Sequence, residues 1–147
     1  MHRIPIYRIM LMREGSLPVV RKRVEGPQDA AEVLRDFLAD TDREHFVALL
    51  LDAQCQLIGI HTVAIGSLDT CIVHPRELFK AVILANAASI ILAHNHPSGD
   101  PTPSLEDRTV TRQLADAGEM LGIDVQDHVI IGEGSLYCSF MEAGLLS

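Results

Sequence analysis

The sequence predicts a three-layer α/β domain, a mixed β-sheet flanked by helices. Three observations carry this. First, the short apolar runs 45–51 (HFVALLL), 57–65 (LIGIHTVAI) and 89–93 (SIILA) read as buried strands. Second, around them apolar residues recur at helical spacing in segments opened by Pro27, Pro75 and Ser104. Third, 147 residues suit a single core, and with 48% apolar residues but no Trp that core must be aliphatic.

Residues 3–12 (RIPIYRIMLM) read as a first, edge strand blunted by charge. Pro27-Gln28-Asp29 opens a helix with Ala30, Val33, Leu34, Phe37 and Leu38 on its apolar face. Residues 45–51 and 57–65, joined by a polar turn at 52–56, read as a hairpin. Residues 70–73 read as a short strand. Pro75 fits the first turn of a helix reaching about Asn86, with Leu78, Phe79, Val82 and Ile83 inward. Residues 89–93 form a central strand that runs into the Pro-, Gly- and Asp-rich loop 94–103 (HNHPSGDPTP). A helix follows from Ser104 to about Leu121, with Val110, Leu114, Ala117 and Leu121 on one face, and Gly122 ends it. Residues 123–131 and 136–140 close the sheet.

The formal charge is −8, unevenly spread: residues 1–23 carry net +5 and residues 24–147 net −13. The acidic balance argues against broad, nonspecific nucleic-acid binding. The basic arm reads first as a solvated edge, with phosphate contact as the alternative. Arg8 and Arg13 interrupt the N-terminal segment, so it lacks a signal-peptide core. The longest apolar stretch, 81–93, is interrupted by Asn86 and Ser89 and is too short to span a membrane. Cys55, Cys71 and Cys138 are widely spaced, without a C-x-x-C, and read as buried free thiols. A reducing cytoplasm is the expected compartment.

The chemistry sits in residues 93–107 (AHNHPSGDPTPSLED). Residues two apart in extended backbone point to the same side, so His94 and His96 can converge on one point. Asp107 falls in the first turn of the following helix, on its inward face, where a carboxylate needs N–H groups or a cation beside it. Two imidazoles and one carboxylate are the protein ligands of an open zinc site. A second reading accounts for Ser104 and Asp107 without any metal: S-x-x-D fits a helix capping box. On spacing alone both stand. The letters His-Asn-His also spell the HNH nuclease name, but that motif spans a ββα unit and nothing else here supplies it.

His94, His96, Ser104 and Asp107 match H-x-H-x7-S-x2-D, and the chain here resembles the JAMM motif of the JAB/MPN+ metalloprotease superfamily. HNHPSGDPTPS is similar to the RadC-like branch, as are VHPRELFK, DHVIIG and REHFVALLLD, over residues 27–140. The resemblance implies a JAB/MPN-like (cytidine-deaminase-like) fold in residues 27–147, preceded by the basic arm 1–26. It also implies one zinc ion per chain, held by His94, His96 and Asp107 with water in the fourth position. Glu44, just before the first buried run, fits the family's catalytic glutamate; Glu77 and Glu106 compete for that role. Glu44 would take a proton from the water and pass it to a leaving amine. Ser104 would donate to the developing oxyanion, a contribution of roughly 3 kcal/mol. The implied reaction is hydrolysis of a peptide or isopeptide amide in a peptide or protein substrate.

Longer RadC-type proteins carry a helix-hairpin-helix region associated with DNA. This chain is expected to be a short form without it, so a DNA-repair role transfers poorly. Two other functions compete: a noncatalytic protein-interaction module, and an accessory to recombination or repair that binds nucleic acid through the basic arm. No membrane partner is expected. An exposed N-terminal edge strand leaves room for a homo-oligomer. Among other polar residues, Asp127-His128 reads as a pair that orders the sheet, His61 as a strand histidine and His74 as a helix cap. Asp100 reads as a partner for an imidazole N–H.

Overall fold

The computed structural model describes residues 1–66 and 73–146. Three helices, α1 (Pro27–Phe37), α2 (Pro75–Leu84) and α3 (Leu105–Leu121), pack on five strands, β1 (His45–Leu51), β2 (Leu57–Ile65), β3 (Ser89–Asn95), β4 (Asp124–Ile131) and β5 (Tyr137–Ser139). The strand order is β2-β1-β3-β4-β5. Only β3 and β4 run parallel, joined across α3; the other pairs are antiparallel. The mixed sheet, its hairpin and its central apolar strand are as the sequence predicts.

Alternation along the strands makes the layers. Val47, Leu49, Leu51, Ile91 and Ala93 pack on one face with Ala30, Ala31 and Leu34 of α1. Phe46, Ala48, Leu50, Ile90 and Leu92 pack on the other with Leu78, Phe79 and Val82 of α2 and Leu114 of α3. The hairpin turn is tied by Asp52, whose Oδ1 accepts from the main-chain N–H of Gln54 and of Gln56, both at 2.9 Å. Gly122, at φ 73°, caps α3 in the left-handed region that a side chain would disfavour.

Four expectations are corrected. Residues 3–12 form no strand; Ile4, Ile6 and Tyr7 are exposed, and the arm meets the sheet at a single Arg23–Gln56 bridge. A strand needs a hydrogen-bonded partner; β2 has an open outer edge, but residues 3–12 do not pair with it. The phase of α2 differs too: Ala81 is buried, whereas Ile83, one residue beyond buried Val82, turns outward and is 52% exposed. On α3 the inward stripe is Asp107, Thr111, Leu114 and Gly118, and Leu121 is exposed. Gly118 is inward because the chain closes there: a Cβ would lie 2.4 Å from the Ile123 carbonyl oxygen. Finally, β3 runs two residues further than expected and contains His94 and Asn95. His74 occupies the N-cap position of α2 without a side-chain cap bond. Of the short strand expected at 70–73, residues 70–72 lie outside the described residues, as does Cys71.

Gly118→Ala tests the close approach of α3 to β4. Helix propensity alone would favour Ala by about 1 kcal/mol. The backbone clash reverses the sign, and denaturant unfolding should show a net loss of roughly 1–3 kcal/mol.

Candidate metal centre

The carboxyl end of β3, beside its parallel neighbour, is where open α/β sheets present ligand sites. There β3 and the loop just after it bring His94 and His96 to one point. His94 Nε2 lies 3.0 Å from His96 Nε2. Asp107, at the start of α3, faces both: Oδ1 is 3.2 Å from His94 Nε2 and Oδ2 is 3.2 Å from His96 Nε2. Glu44, immediately before β1, brings Oε1 to 3.5 Å from His94 Nε2 and 3.8 Å from His96 Nε2. One ligand-type atom from each of these four residues lies within 4.8 Å of the others. Neither Glu77 nor Glu106 joins the group; Glu77 pairs with Lys80 at 3.1 Å.

These distances fit a metal ion. A tetrahedral site with Zn–N bonds near 2.0–2.1 Å has ligand-to-ligand edges of about 3.3 Å. His94 Nε2 and His96 Nε2 are 3.0 Å apart, and each has a different Asp107 oxygen at 3.2 Å, separations close to such an edge. The donors are two imidazole nitrogens and a carboxylate, the chemistry that a divalent cation of this kind takes.

The capping box and the ligand arrangement coexist. Ser104 N–H donates to Asp107 Oδ2 at 2.8 Å, and Asp107 N–H donates to Ser104 Oγ at 3.0 Å. Burial works to raise the Asp107 pKa, but the bonds from His94, His96 and the Ser104 N–H outweigh it and hold the carboxyl well below the usual carboxylate range. The hydrogen bond to Asp107 raises His96 above the ordinary imidazole value against the effect of burial. His96 Nδ1 also lies 2.8 Å from the main-chain carbonyl of Asp100. Asp100 is thus the imidazole's neighbour as expected, but through its backbone; its carboxylate binds the N–H and hydroxyl of Thr102.

The loop holding His96 is buttressed by the β4–β5 connection. His96 N–H donates to the Ile131 carbonyl at 3.0 Å, and Glu133 N–H donates to the Gly99 carbonyl at 2.8 Å. Gly132 permits this contact, since a Cβ there would lie 2.5 Å from Gly99 O and 2.8 Å from Pro101 Cδ. Beside His96 opens a recess of about 470 Å³ whose lining includes Arg35, Asn95, Ser98 and Glu133.

Three participants escaped the sequence reading. Asn95, between the two histidines, points to the opposite face. It accepts from His45 N–H at 2.8 Å and donates to Thr41 Oγ1 and the Arg43 carbonyl, both at 3.1 Å, clamping the segment that carries Glu44. His128 is buried behind His94, with its Nε2 2.7 Å from His94 Nδ1. Its Nδ1 meets the hydroxyl of Thr111, the third of them. Burial pushes the His128 ring well below the ordinary imidazole pKa. Asp127 does order the chain, accepting from the N–H groups of His128 and Met141 and from the Ser139 hydroxyl. His61 is a half-buried β2 residue, as expected.

An α/β/α sandwich with two histidines, an aspartate and a glutamate gathered at one strand end is the arrangement of a JAB-type domain with a candidate metal centre. The profile of the RadC-like JAB domain matches residues 24–145, and the chain belongs to that family. It is 52% identical over 135 residues to a UPF0758 protein of Desulforamulus reducens, covering 91% of this chain and 59% of that protein. A UPF0758 protein of Desulfitobacterium hafniense is 50% identical over 132 residues, 90% of this chain and 58% of its own length. Another, from Rubrobacter xylanophilus, is 48% identical over 139 residues, 95% of this chain and 59% of its own length. The chain thus spans a little under three-fifths of these relatives. Among the described residues, no helix is long and apolar enough to cross a membrane.

Gly132→Ala should push the 96–101 loop off the β4–β5 connection. If the cluster holds a divalent ion, its affinity, read by competition with a chromogenic chelator, should fall about 10-fold or more. The Ala side chain would face no such clash at Gly134, whose Cβ position is open apart from its positive φ.

Proposed function

We propose that this domain is a zinc-dependent hydrolase of peptide or isopeptide amides in a protein substrate. One observation carries the reading: Glu44, His94, His96 and Asp107 converge within 4.8 Å at the end of β3, with Ser104 alongside. His94, His96 and Asp107 would hold one zinc ion per chain. When bound, zinc acidifies a water and polarises a carbonyl at one position.

The side chains divide into a buried floor and an open rim. His94 and Asp107 have 0% and 2% of their side chains exposed; His96 and Glu44 have 16% and 14%. Substrate therefore approaches over Glu44 and His96. Glu44 stands at that opening and carries a proton from the attacking water to the amide nitrogen as the C–N bond breaks. Ser104 uses a lone pair to cap α3, and its hydroxyl hydrogen remains for the carbonyl oxygen as charge builds there. Asn95 holds the Glu44 segment in place from the far face of the sheet.

Fluorogenic peptide amides and a peptide carrying a lysine ε-amide linkage are the first substrates to try, with zinc content measured in parallel. His94→Ala should lose both zinc and hydrolysis. Glu44→Gln should keep zinc and lower turnover about 10²- to 10⁴-fold. Full activity in Glu44→Gln removes the glutamate from its role. Tight zinc binding without hydrolysis of any amide turns the reading toward a binding module. Asn95→Ala should retain zinc and lose rate, because its contacts serve Glu44 and not the ligands.

A further inference from the structure

Behind the ligand cluster, on the side away from solvent, lies a chain of hydrogen bonds that the proposed hydrolysis does not use. His128 is fully buried, with Phe140 stacked on it at 4.7 Å and Phe46 edge-on at 5.4 Å. Its Nε2 meets His94 Nδ1 at 2.7 Å, and its Nδ1 meets Thr111 Oγ1. The Thr111 hydroxyl lies 2.7 Å from the main-chain carbonyl of Asp107, one turn back on α3. The chain thus begins on one ligand residue and ends on another.

Counting hydrogens gives this chain a direction. A carbonyl oxygen only accepts, so Thr111 must spend its one hydroxyl hydrogen on Asp107 O. The Thr111 oxygen can then only accept from His128, which requires the proton on His128 Nδ1. A neutral imidazole carries one N–H, so His128 Nε2 is an acceptor. His94 must therefore donate from Nδ1, so in the neutral ring Nε2 is the nitrogen left for a metal; without an ion, a second proton there bonds to Asp107. That nitrogen faces His96, Asp107 and Glu44. The opposite polarity would set two lone pairs against each other across the 2.7 Å between Thr111 Oγ1 and Asp107 O.

We propose that Thr111 and His128 are positioning residues that lock His94 in the tautomer whose unprotonated Nε2 faces the cluster, with the direction set by the main-chain carbonyl of Asp107. The orienting group behind a metal-binding histidine is more often a carboxylate or a carbonyl. Here a second imidazole takes that place, and its polarity comes from a helix backbone. A one-residue irregularity in the β3–β4 register, between Ile90 and Ile91, makes this possible. It pairs Leu92 with His128 instead of Asp127, which brings the imidazole onto the face that His94 shares.

The inference rests on the metal-site reading for its purpose, but its first test needs no metal. Long-range ¹H–¹⁵N spectra of the metal-free protein distinguish a protonated from a bare ring nitrogen. The expected result is a protonated Nδ1 on both His94 and His128, with His128 Nε2 bare. A bare Nδ1 on His128 overturns the proposal, whatever zinc or amide substrates do. The second test compares Thr111→Val, which keeps the shape and removes the hydroxyl, with Thr111→Ser, which restores it. Thr111→Val should lower zinc affinity about 10- to 100-fold and leave His128 free to change tautomer, while Thr111→Ser stays within a few-fold of the parent. A folded Thr111→Val that binds zinc as tightly as the parent sinks the proposal. If Thr111→Val does not fold, the spectra of the parent protein decide alone. A parent with the expected tautomers but no affinity for zinc refutes the metal reading and leaves the lock standing.

Discussion

A carboxylate with 1% of its surface exposed opens α3, and much of the surrounding structure compensates its charge. Removing Asp107 from water is costly unless donors or a cation replace the lost hydration. One oxygen takes the Ser104 N–H and the other turns to His94. The helix terminus adds its own positive end. Capping and ligation are therefore one arrangement here and not alternatives. The cap fixes the carboxylate in position and rotation, and so presents a preformed ligand. A capping residue without the histidines would leave Oδ1 buried beside the Glu44 carboxylate without their N–H donors; histidines without the cap would meet a carboxylate free to rotate away.

The same economy of position appears along β3. Its alternation sends Leu92 and His94 to the α2–α3 face and Ala93 and Asn95 to the α1 side. Consecutive residues therefore serve different tasks. His94 reaches the cluster, Asn95 ties down the segment before β1, and His96 leaves the sheet to meet the cluster from the loop. The loop can be rich in Pro and Gly because its shape is imposed from outside. Ile131, Gly132 and Glu133 hold it by main-chain hydrogen bonds and by a close approach that a side chain would prevent.

Most of the fold was legible in the sequence because apolar runs and caps are local signals. The hairpin, the central strand, the Pro-opened helices and Ser104 at its N-cap needed no tertiary knowledge. The errors fall where the deciding fact is a neighbour. The arm at residues 3–12 has strand composition but joins no ladder. The inward stripe of α3 includes Thr111 and Gly118, which no hydropathy pattern selects; one is inward to meet His128 and the other to let Ile123 approach. At the site, His94, His96, Ser104 and Asp107 share one short segment, and their spacing exposes them. Glu44 is about fifty residues upstream and was reached through resemblance to the family. His128 had no signal of its own. Strand parity would have put Asp127 on the ligand face, and the register irregularity between Ile90 and Ile91 reverses that assignment.

The gradient of exposure across the site follows from these constraints. Groups that must keep a fixed geometry are packed against the core: His94 stacks on Phe46, and His128 stacks on Phe140. Glu44 and His96 stand partly exposed at the edge, on segments held by main-chain bonds. Glu44 is carried by a segment that Asn95 clamps, and Ser104 by the end of the ligand loop. A rigid interior thus sets the positions of the cluster while its rim stays partly open to solvent. The recess beside His96, with Arg35 and Glu133 on its walls, adjoins that rim. It sets one charge of each sign beside the partly exposed ring of His96, whereas His94 and Asp107 stay buried.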